Sequence, residues 1–423
     1  MNLAPLEQAL AMRFPDAGVR QRAALDALLT HGFPDRHVER WKYTRSAPYA
    51  DYALRALAAQ QPGNALDNTL TERLAQWQQQ FAASYIIVIV NGQMNTAHTC
   101  LPSGVTMTPA IADRAAFKAT PDDALALLND ALPTTQLTLS VADNTKTDAP
   151  LHIVHLSHAQ NALAQVRIDV DLQPNSQLTI VEHILPADCK EPMHSTVATA
   201  QLAQGATLAW YRLQQAGGDA LVATRLDAVL ANDAVLDTLT LDVGGKLVRN
   251  DLNVVLAEAG ASVNMRGVYL INGQQHVDNH THVDHAAKDT TSNEDYRGVL
   301  RDHSRAVFNG KVYVHEGADG TDAAQSNKNL LLSDHAEIDT KPELEIYADD
   351  VKCAHGATVG QLDDASLFYL RSRGIDSDTA TQLLTFAFCR EVIRDIADLP
   401  VKTAAERLVA NEIPDFTALD LAS

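Results

Sequence analysis

The stretch Leu172-QPNSQ-Leu178 returns in altered form at Leu202-AQGAT-Leu208, Leu230-ANDAV-Leu236, Leu256-AEAGAS-Val263 and Leu332-SDHAE-Ile338. Each phrase runs from one apolar residue through a few polar or small residues to a second. The closing positions 178, 208, 236 and 263 are 30, 28 and 27 residues apart. Near-constant spacing of one strand–turn–strand phrase marks a repeat architecture. Each unit buries its apolar side only by stacking on its neighbours. Asn, Asp and Gly at the corners supply the turn conformations. From about Thr134 to Leu362 the chain reads as strand after strand, a β-helix-like solenoid. The alternative is a β-sandwich with regular strands. The register weakens over 264–330, where polar stretches such as HVDNHTHVDH and ADGTDAAQSNKN intervene.

The flanks read as helical. Arg20 to Leu29 is rich in Ala and Leu, and Asp67 to Phe81 sets Leu70, Leu74, Trp77 and Phe81 on one helical face. Between them lies HVERWKYT, His37 to Thr44, a mixed aromatic and charged loop. Tyr85 to Val90 is an apolar strand ending in the turn signal Asn91-Gly92. Thr120 to Asn129 predicts a short helix with Thr120 as its cap and Pro121 in its first turn. After Arg373-Gly374 the pattern is helical again. Leu384, Phe388, Val392 and Ile396 recur every four residues, Pro400 breaks the helix, and Ala404 to Val409 suggests another. The expected division is a helical region at 1–84, a β-helix core at 85–364 with a mixed lead-in at 85–133, and a helical region at 365–423.

Composition excludes several functions. The 423 residues carry 33 Lys and Arg against 53 Asp and Glu, a net charge of −20. Such a chain repels nucleic-acid phosphates and anionic membrane surfaces. No apolar run approaches the roughly 18 residues of a spanning helix, and no basic-then-apolar N-terminal signal is present. The expected compartment is the cytoplasm. Aromatics are only 5% of the chain, so a large core must be filled by Leu, Val, Ile and Ala. Cys100, Cys189, Cys353 and Cys389 are far apart in sequence, without the paired spacing of a self-contained zinc or iron–sulfur site. No phosphate-binding loop and no hydrolase motif occurs.

Three groups of side chains have candidate chemistry. Cys353 and His355 are two apart, so on a strand they leave one face as soft-metal ligands that a partner chain would have to complete. The competing reading makes Cys353 a small buried hydrophobe and His355 a turn residue. His280, His282 and His285 form H-x-H-x-x-H, a possible divalent-metal cluster, but on a strand His285 faces away from the other two. The competing reading is a polar ladder on the solenoid surface. Asp349-Asp350 and Glu343/Glu345 are acidic pairs suited to acid–base work or, more simply, solvated faces. Gln325, Asn327 and Asn329 are expected to form a side-chain ladder between coils.

The window from Glu294 to Ile375, which includes AVFNGKVYVHEGADGTDAAQSNKNLLLSDHAEIDTKPELEIYADDVKCAHGATVGQLDDASLFYLRSRGI, closely resembles the SufB/SufD family of iron–sulfur cluster assembly proteins. HVERWKYT, the length and the sparse cysteines resemble the SufD branch. The resemblance implies a right-handed parallel β-helix between helical regions. It also implies a non-enzymatic scaffold subunit that pairs with SufB near the Cys353/His355 strand. The ATPase SufC would dock on 365–423, with Leu384, Phe388, Val392 and Ile396 as candidate contacts. A homodimer is expected as the substitute when SufB is absent. It assigns Cys353 and His355, as metal ligands shared with the partner, to cluster assembly, and gives no role to Cys100, Cys189 or Cys389. No permanent cofactor is expected; a transient cluster or iron at the interface is implied, and no residue decides for or against a flavin. Two other readings stand beside this one: a SufB-like scaffold that holds a cluster alone, and a β-helix enzyme acting on acidic polysaccharide.

Overall fold

In a parallel β-helix each strand pairs with the strands one coil above and below, so the repeat length sets the register. The computed structural model describes residues 3–59, 63–81, 85–109, 120, 122–187 and 189–416. Four helices open the chain: α1 (Ala4–Arg13), α2 (Val19–His31), α3 (Ala47–Ala58) and α4 (Asn68–Phe81), with a 3-10 turn at Glu39–Trp41. A lead-in follows: β1 (Tyr85–Val90), β2 (Gln93–Cys100), β3 (Val105–Thr108) and α5 (Ala124–Ala131). The coils then run β4 (Thr135–Val141), β5 (Leu151–Leu156), β6 (Leu163–Leu172), β7 (Gln177–Ile184), β8 (Met193–Leu202) and β9 (Thr207–Gln214). They continue through β10 (Leu221–Leu230), β11 (Val235–Asp242), β12 (Leu247–Leu256), β13 (Ser262–Ile271) and β14 (His276–His285). The last are β15 (Thr291–Leu300), β16 (Arg305–Val314), β17 (Thr321–Leu331), β18 (Glu337–Ile346) and β19 (Val351–Gly360). Helices α6 (Asp364–Ser372), α7 (Ser377–Ile393) and α8 (Leu399–Glu412) end the described chain.

Odd-numbered strands from β5 to β19 stack in parallel in one sheet, with β1 and β2 at its early end. Even-numbered strands from β4 to β18 form the second sheet, with β3 antiparallel at its early end. Two strands make each coil, and about 8 turns make a parallel β-solenoid. The parallel pairing removes the sandwich alternative. The quoted phrases are the corners between the two strands of a coil. Asn175, Gly205, Asp233 and Gly260 stand at successive corners, all with positive φ. The first three hand their backbone N–H to the next coil: Asn175 to Gln204 O at 2.9 Å, Gly205 to Asn232 O at 2.9 Å and Asp233 to Ala259 O at 3.1 Å. At Gly205 a Cβ would meet Asn175 Oδ1 at 2.6 Å, and at Gly260 it would meet Asp233 Oδ1 at 2.2 Å. The side chain of one corner thus occupies the space over the next, which admits only glycine there.

Apolar side chains of alternate residues fill the coil interior, from Ile153, Ile168 and Ile180 to Val283 and Phe308. The outer faces are covered too. Helices α1, α2, α3 and α5 pack together and onto Leu163, Met193, Leu221 and Leu247 of the even-numbered sheet. Helix α4 instead lies on the odd-numbered sheet, its Leu70, Leu74, Trp77 and Phe81 sharing a cluster with Val181, Leu213 and the apolar faces of α7 and α8. Coverage on both faces explains why the strands read as near-continuous apolar runs.

Four local expectations change. The register does not weaken over 264–330: HVDNHTHVDH is β14, paired residue for residue with β12 and β16. Asp278 and Asn279 take partners from β12, Arg249 at 2.6 Å and Asn250 at 2.9 Å, so polar as well as apolar contacts hold the register. Helix α5 starts at Ala124, because Asp123 turns back to accept from Thr120 N–H at 2.8 Å and Thr120 Oγ1 at 2.9 Å; Pro121 lies outside the described residues. Helical structure resumes at Asp364, before Arg373-Gly374, and Gly374 with φ 88° follows α6. Pro400 does not end α7; it sits in the first turn of α8, where its missing N–H costs nothing.

Candidate functional site

Strand β17 sets the geometry of β19. Its residues Ala323, Gln325, Asn327 and Asn329 are buried, while Asp322, Ala324 and Lys328 are exposed. Ala323 pairs with Cys353, Gln325 with His355, Asn327 with Ala357 and Asn329 with Val359. Cys353 and His355 therefore extend the inner-face rows and leave one face, as their spacing predicts. They lie on the last coil, where β18 and β19 are the edges of their sheets. Cys353 is half-buried against a small cluster of Val312, Val314, Ala318 and Ala323, and His355 is exposed. Neither residue is in a turn. Burial pushes the Cys353 thiol up; the Ala323 backbone opposes this and the Asp322 carboxylate adds to it. The thiol is thus protonated at neutral pH until a metal or an incoming cation favours the thiolate.

Beneath the pair the interior turns polar. In register below His355 come Gln325 and Glu294, joined by Gln325 Nε2 donating to Glu294 Oε2 at 2.7 Å. Burial pushes the Glu294 carboxyl up to about 7, against opposing hydrogen bonds from Thr281 and Gln325. Asn329 Nδ2 donates to Asn327 Oδ1 at 2.7 Å, and Asn327 Nδ2 donates to Tyr269 Oη at 3.1 Å and Tyr296 O at 3.2 Å. Thr340 Oγ1 reaches across from β18 to Asn327 Oδ1 at 2.9 Å. The expected Gln325/Asn327/Asn329 ladder is present, and it ties both sheets together under the Cys353/His355 coil.

Other candidates are not gathered into a site. His280 is buried on the outer face of β14 against Asp278 at 3.0 Å, and His282 pairs with Asp284 at 3.1 Å. His285 points inward between Thr290 Oγ1 and Ser292 Oγ, both at 2.8 Å. The three imidazoles have separate partners, and the surface ladder keeps only His282 partly exposed. Glu343 and Glu345 pair with Lys341 at 2.9 Å and Lys311 at 2.8 Å. Asp349 and Asp350 are exposed in the corner before β19, where Asp350 O accepts from Gly320 N–H at 2.7 Å. Both acidic pairs are thus solvated or ion-paired groups.

The stripe Leu384, Phe388, Val392 and Ile396 is not one outward surface. Val392 and Ile396 are buried with Cys389 and Ile393 over the odd-numbered sheet. Arg297 donates to Phe388 O at 2.9 Å and stacks its guanidinium over the Phe388 ring at 5.2 Å. The stripe is offset because α7 turns Phe386, Cys389, Val392 and Ile393 inward. Only Leu384 and Phe388 remain partly accessible. The more exposed apolar surface of this region is on α6, where Phe368 and Tyr369 are 74% and 55% exposed.

A further row of charged side chains, with a spacing visible in the sequence, lies outside the candidates above. Arg167/Asp169, Arg225/Asp227 and Arg249/Asp251 repeat R-x-D on the outer face of the even-numbered sheet. The HVERWKYT segment docks on this row. Arg40 pairs with Asp251 at 2.7 Å, Trp41 Nε1 donates to Asp122 O at 2.9 Å, and Arg249 lies over the Trp41 ring at 4.7 Å. Lys341 of β18 reaches Glu39 at 2.8 Å, so this segment also touches the final coil.

Residues 155–388 match the family model described as SUF system FeS cluster assembly, SufBD core domain. The chain belongs to the SufB/SufD family. It is 28% identical over 401 residues to the iron–sulfur cluster assembly protein SufD of Escherichia coli, covering 92% of each chain. An iron–sulfur cluster assembly SufBD family protein of Synechocystis is 31% identical over 279 residues, 64% of this chain and 62% of that one. Another from Mycobacterium leprae is 39% identical over 191 residues, 43% of this chain and 48% of that one. The likeness to the SufD of Escherichia coli spans nearly the full length of both chains. Among the described residues, no helix is long and apolar enough to cross a membrane.

Proposed function

We propose that this chain is a non-enzymatic subunit of the SUF iron–sulfur cluster assembly scaffold that pairs with SufB through the last β-helix coil and with the ATPase SufC through its C-terminal helices. The observation that carries this is the open coil. A thiol and an imidazole share the inner face of a strand whose free edge has no protein partner among the described residues. Two ligands do not complete a four-coordinate site. A second chain adding a strand at this edge would bring its own ligands to the same face, and a nascent cluster or its iron would be held between the two for the duration of assembly. The full-length likeness to a SufD protein supports the partner choice.

In this mechanism Cys353 and His355 supply sulfur and nitrogen ligands, and the Glu294–Gln325 ladder beneath keeps the coil floor polar and ordered. Helices α6 to α8 receive the motion of the ATPase, and the stacked coils transmit it as a stiff body. Domain limits at 84/85 and 364/365 and a cytoplasmic setting belong to the same proposal. The test is co-expression of the tagged chain with SufB and SufC from the same source, followed by anaerobic cluster reconstitution. Recovery of a three-protein complex that assembles a cluster is expected. A stable cluster on the isolated chain would favour the self-sufficient scaffold, and failure to recover either partner would overturn the proposal.

A further inference from the structure

A second group of ligating side chains lies far from the open coil, inside the early part of the β-helix. His155 of β5, Glu182 of β7 and His194 of β8 all point to the interior, and one ligand atom from each lies within 4.8 Å of the other two. All three are buried. We propose that His155, Glu182 and His194 bind one first-row divalent transition-metal ion, of the iron(II) or zinc(II) class, within the solenoid.

The chemistry of the donors supports this. Two imidazoles and one carboxylate, leaving further coordination positions, suit borderline divalent metals. Metal binding requires neutral imidazole and ionised carboxylate.

The surroundings are those of a supported ligand set. Glu182 Oε1 faces His155 Nε2 at 3.1 Å. Its other oxygen, Oε2, is held by Arg212 Nε at 2.9 Å and Trp210 Nε1 at 3.3 Å. His194 Nε2 meets Thr196 Oγ1 at 2.8 Å. Outer partners of this kind orient metal ligands. A simple buried ion pair between Arg212 and Glu182 would need no histidines. Here two imidazoles meet edge-on with centroids 4.2 Å apart beside the carboxylate. Buried Nδ1 of His155 and Nη2 of Arg212 have no hydrogen-bond partner among the described residues. Protein groups alone therefore leave this layer unsatisfied. The positive charge of Arg212 is shared with a second buried carboxyl, Asp242, whose side chain accepts from Asn250 Nδ2 at 2.8 Å.

The experiment uses the purified full chain, treated with chelator and titrated anaerobically with cobalt(II) and, separately, iron(II). The expected result is about one tight equivalent, with cobalt d–d absorption and X-ray absorption showing nitrogen and oxygen ligands without sulfur. His155→Gln and His194→Gln should each weaken binding at least tenfold. They should also abolish the metal-dependent rise in melting temperature that saturating ligand produces. The Cys353→Ser/His355→Ala double variant should bind as the parent does, which separates this site from the open coil. Absence of a tight equivalent in the parent, sulfur in the coordination shell, or unchanged affinity in both histidine variants would each overturn the proposal. Circular dichroism shows whether either histidine variant is misfolded, and the other then carries the comparison.

Discussion

His355 is exposed on the final strand while Cys353, two residues earlier, leans on Val312, Val314 and Ala323. The difference sorts their substitutions. His355→Ala removes a ligand that carries almost no core burial, so stability should change by less than about 0.5 kcal/mol. Complex recovery with SufB and SufC should persist while cluster yield, read by visible absorbance, falls. Cys353→Ser should have a similar or milder effect. Full cluster yield from the double variant would leave both residues with a structural role only. Glu294 gives a pH-dependent expectation. Its folded pKa of about 7 lies above the ordinary 4.5, so the folded state holds a proton that the unfolded chain has released. The stability from this group is fully present below pH 4.5 and is lost as pH rises through 7. Glu294→Gln should therefore match the parent near pH 4.5 and exceed it at pH 8 by on the order of 2 kcal/mol. Thermal unfolding at the two pH values checks this; a variant less stable at pH 8 would contradict it.

At the scale of elements, α4 is tied to the odd-numbered sheet by aromatic and imidazole rings. Trp77 and Phe81 sit edge-on or tilted against His152 and His183, with centroids 4.7 to 5.3 Å apart. Burial lowers His152 to about 4 and holds His183 well below its ordinary range, with His152 as a further cause. Both are neutral when folded. Their stability contribution is present above pH 6.5 and is lost as pH falls toward 4, because the unfolded imidazoles take up protons first. Acidification over that window should loosen α4 and shift tryptophan emission to the red, and Trp77→Phe should remove most of the shift. Helices α7 and α8 are no simple appendage: removing 376–410 would uncover Val268, Leu270 and Val299. Substitution on α6 is the cleaner probe of ATPase docking. Phe368→Ser with Tyr369→Ser touches exposed rings, so melting should be unchanged while SufC co-purification drops at least tenfold. Unchanged SufC recovery would move the docking surface elsewhere.

Across the whole molecule, the two ends of the β-helix are finished differently. The antiparallel strands β2 and β3 finish the two sheets at the early end, whereas β18 and β19 leave free edges at the late end. Free edges pair with other chains unless charged or covered. The isolated chain is expected to self-associate there in the absence of SufB. Ala357→Lys with Val359→Lys puts two positive charges on that final strand. Sedimentation velocity should show the parent's concentration-dependent dimer reduced to monomer, with the circular dichroism spectrum retained. A parent that stays monomeric at high concentration would argue against the open edge as the pairing surface.

The corner phrases specified the coil by local chemistry alone. A left-handed Asn, Asp or Gly every 27 to 31 residues, as at Asn144, Asn175, Gly205, Asp233 and Gly260, bends the chain wherever it occurs. Period-two alternation likewise put Cys353 and His355 on one face without any tertiary information. The apolar stripe of α4 was equally readable, and all four of its residues are buried. Tertiary structure alone decided where such stripes dock. Helix α4 joins α7 and α8 rather than the helices next to it in sequence, because the sheet face left bare by α1 to α3 is its nearest apolar partner. The polar strands over 264–330 hid their register because hydrogen bonds between coils, such as Gln325 to Glu294, replace the apolar signal. His155, Glu182 and His194 are 27 and 12 residues apart in the chain and carry no spacing motif. They meet only because parallel coils stack distant residues of two facing sheets into one layer.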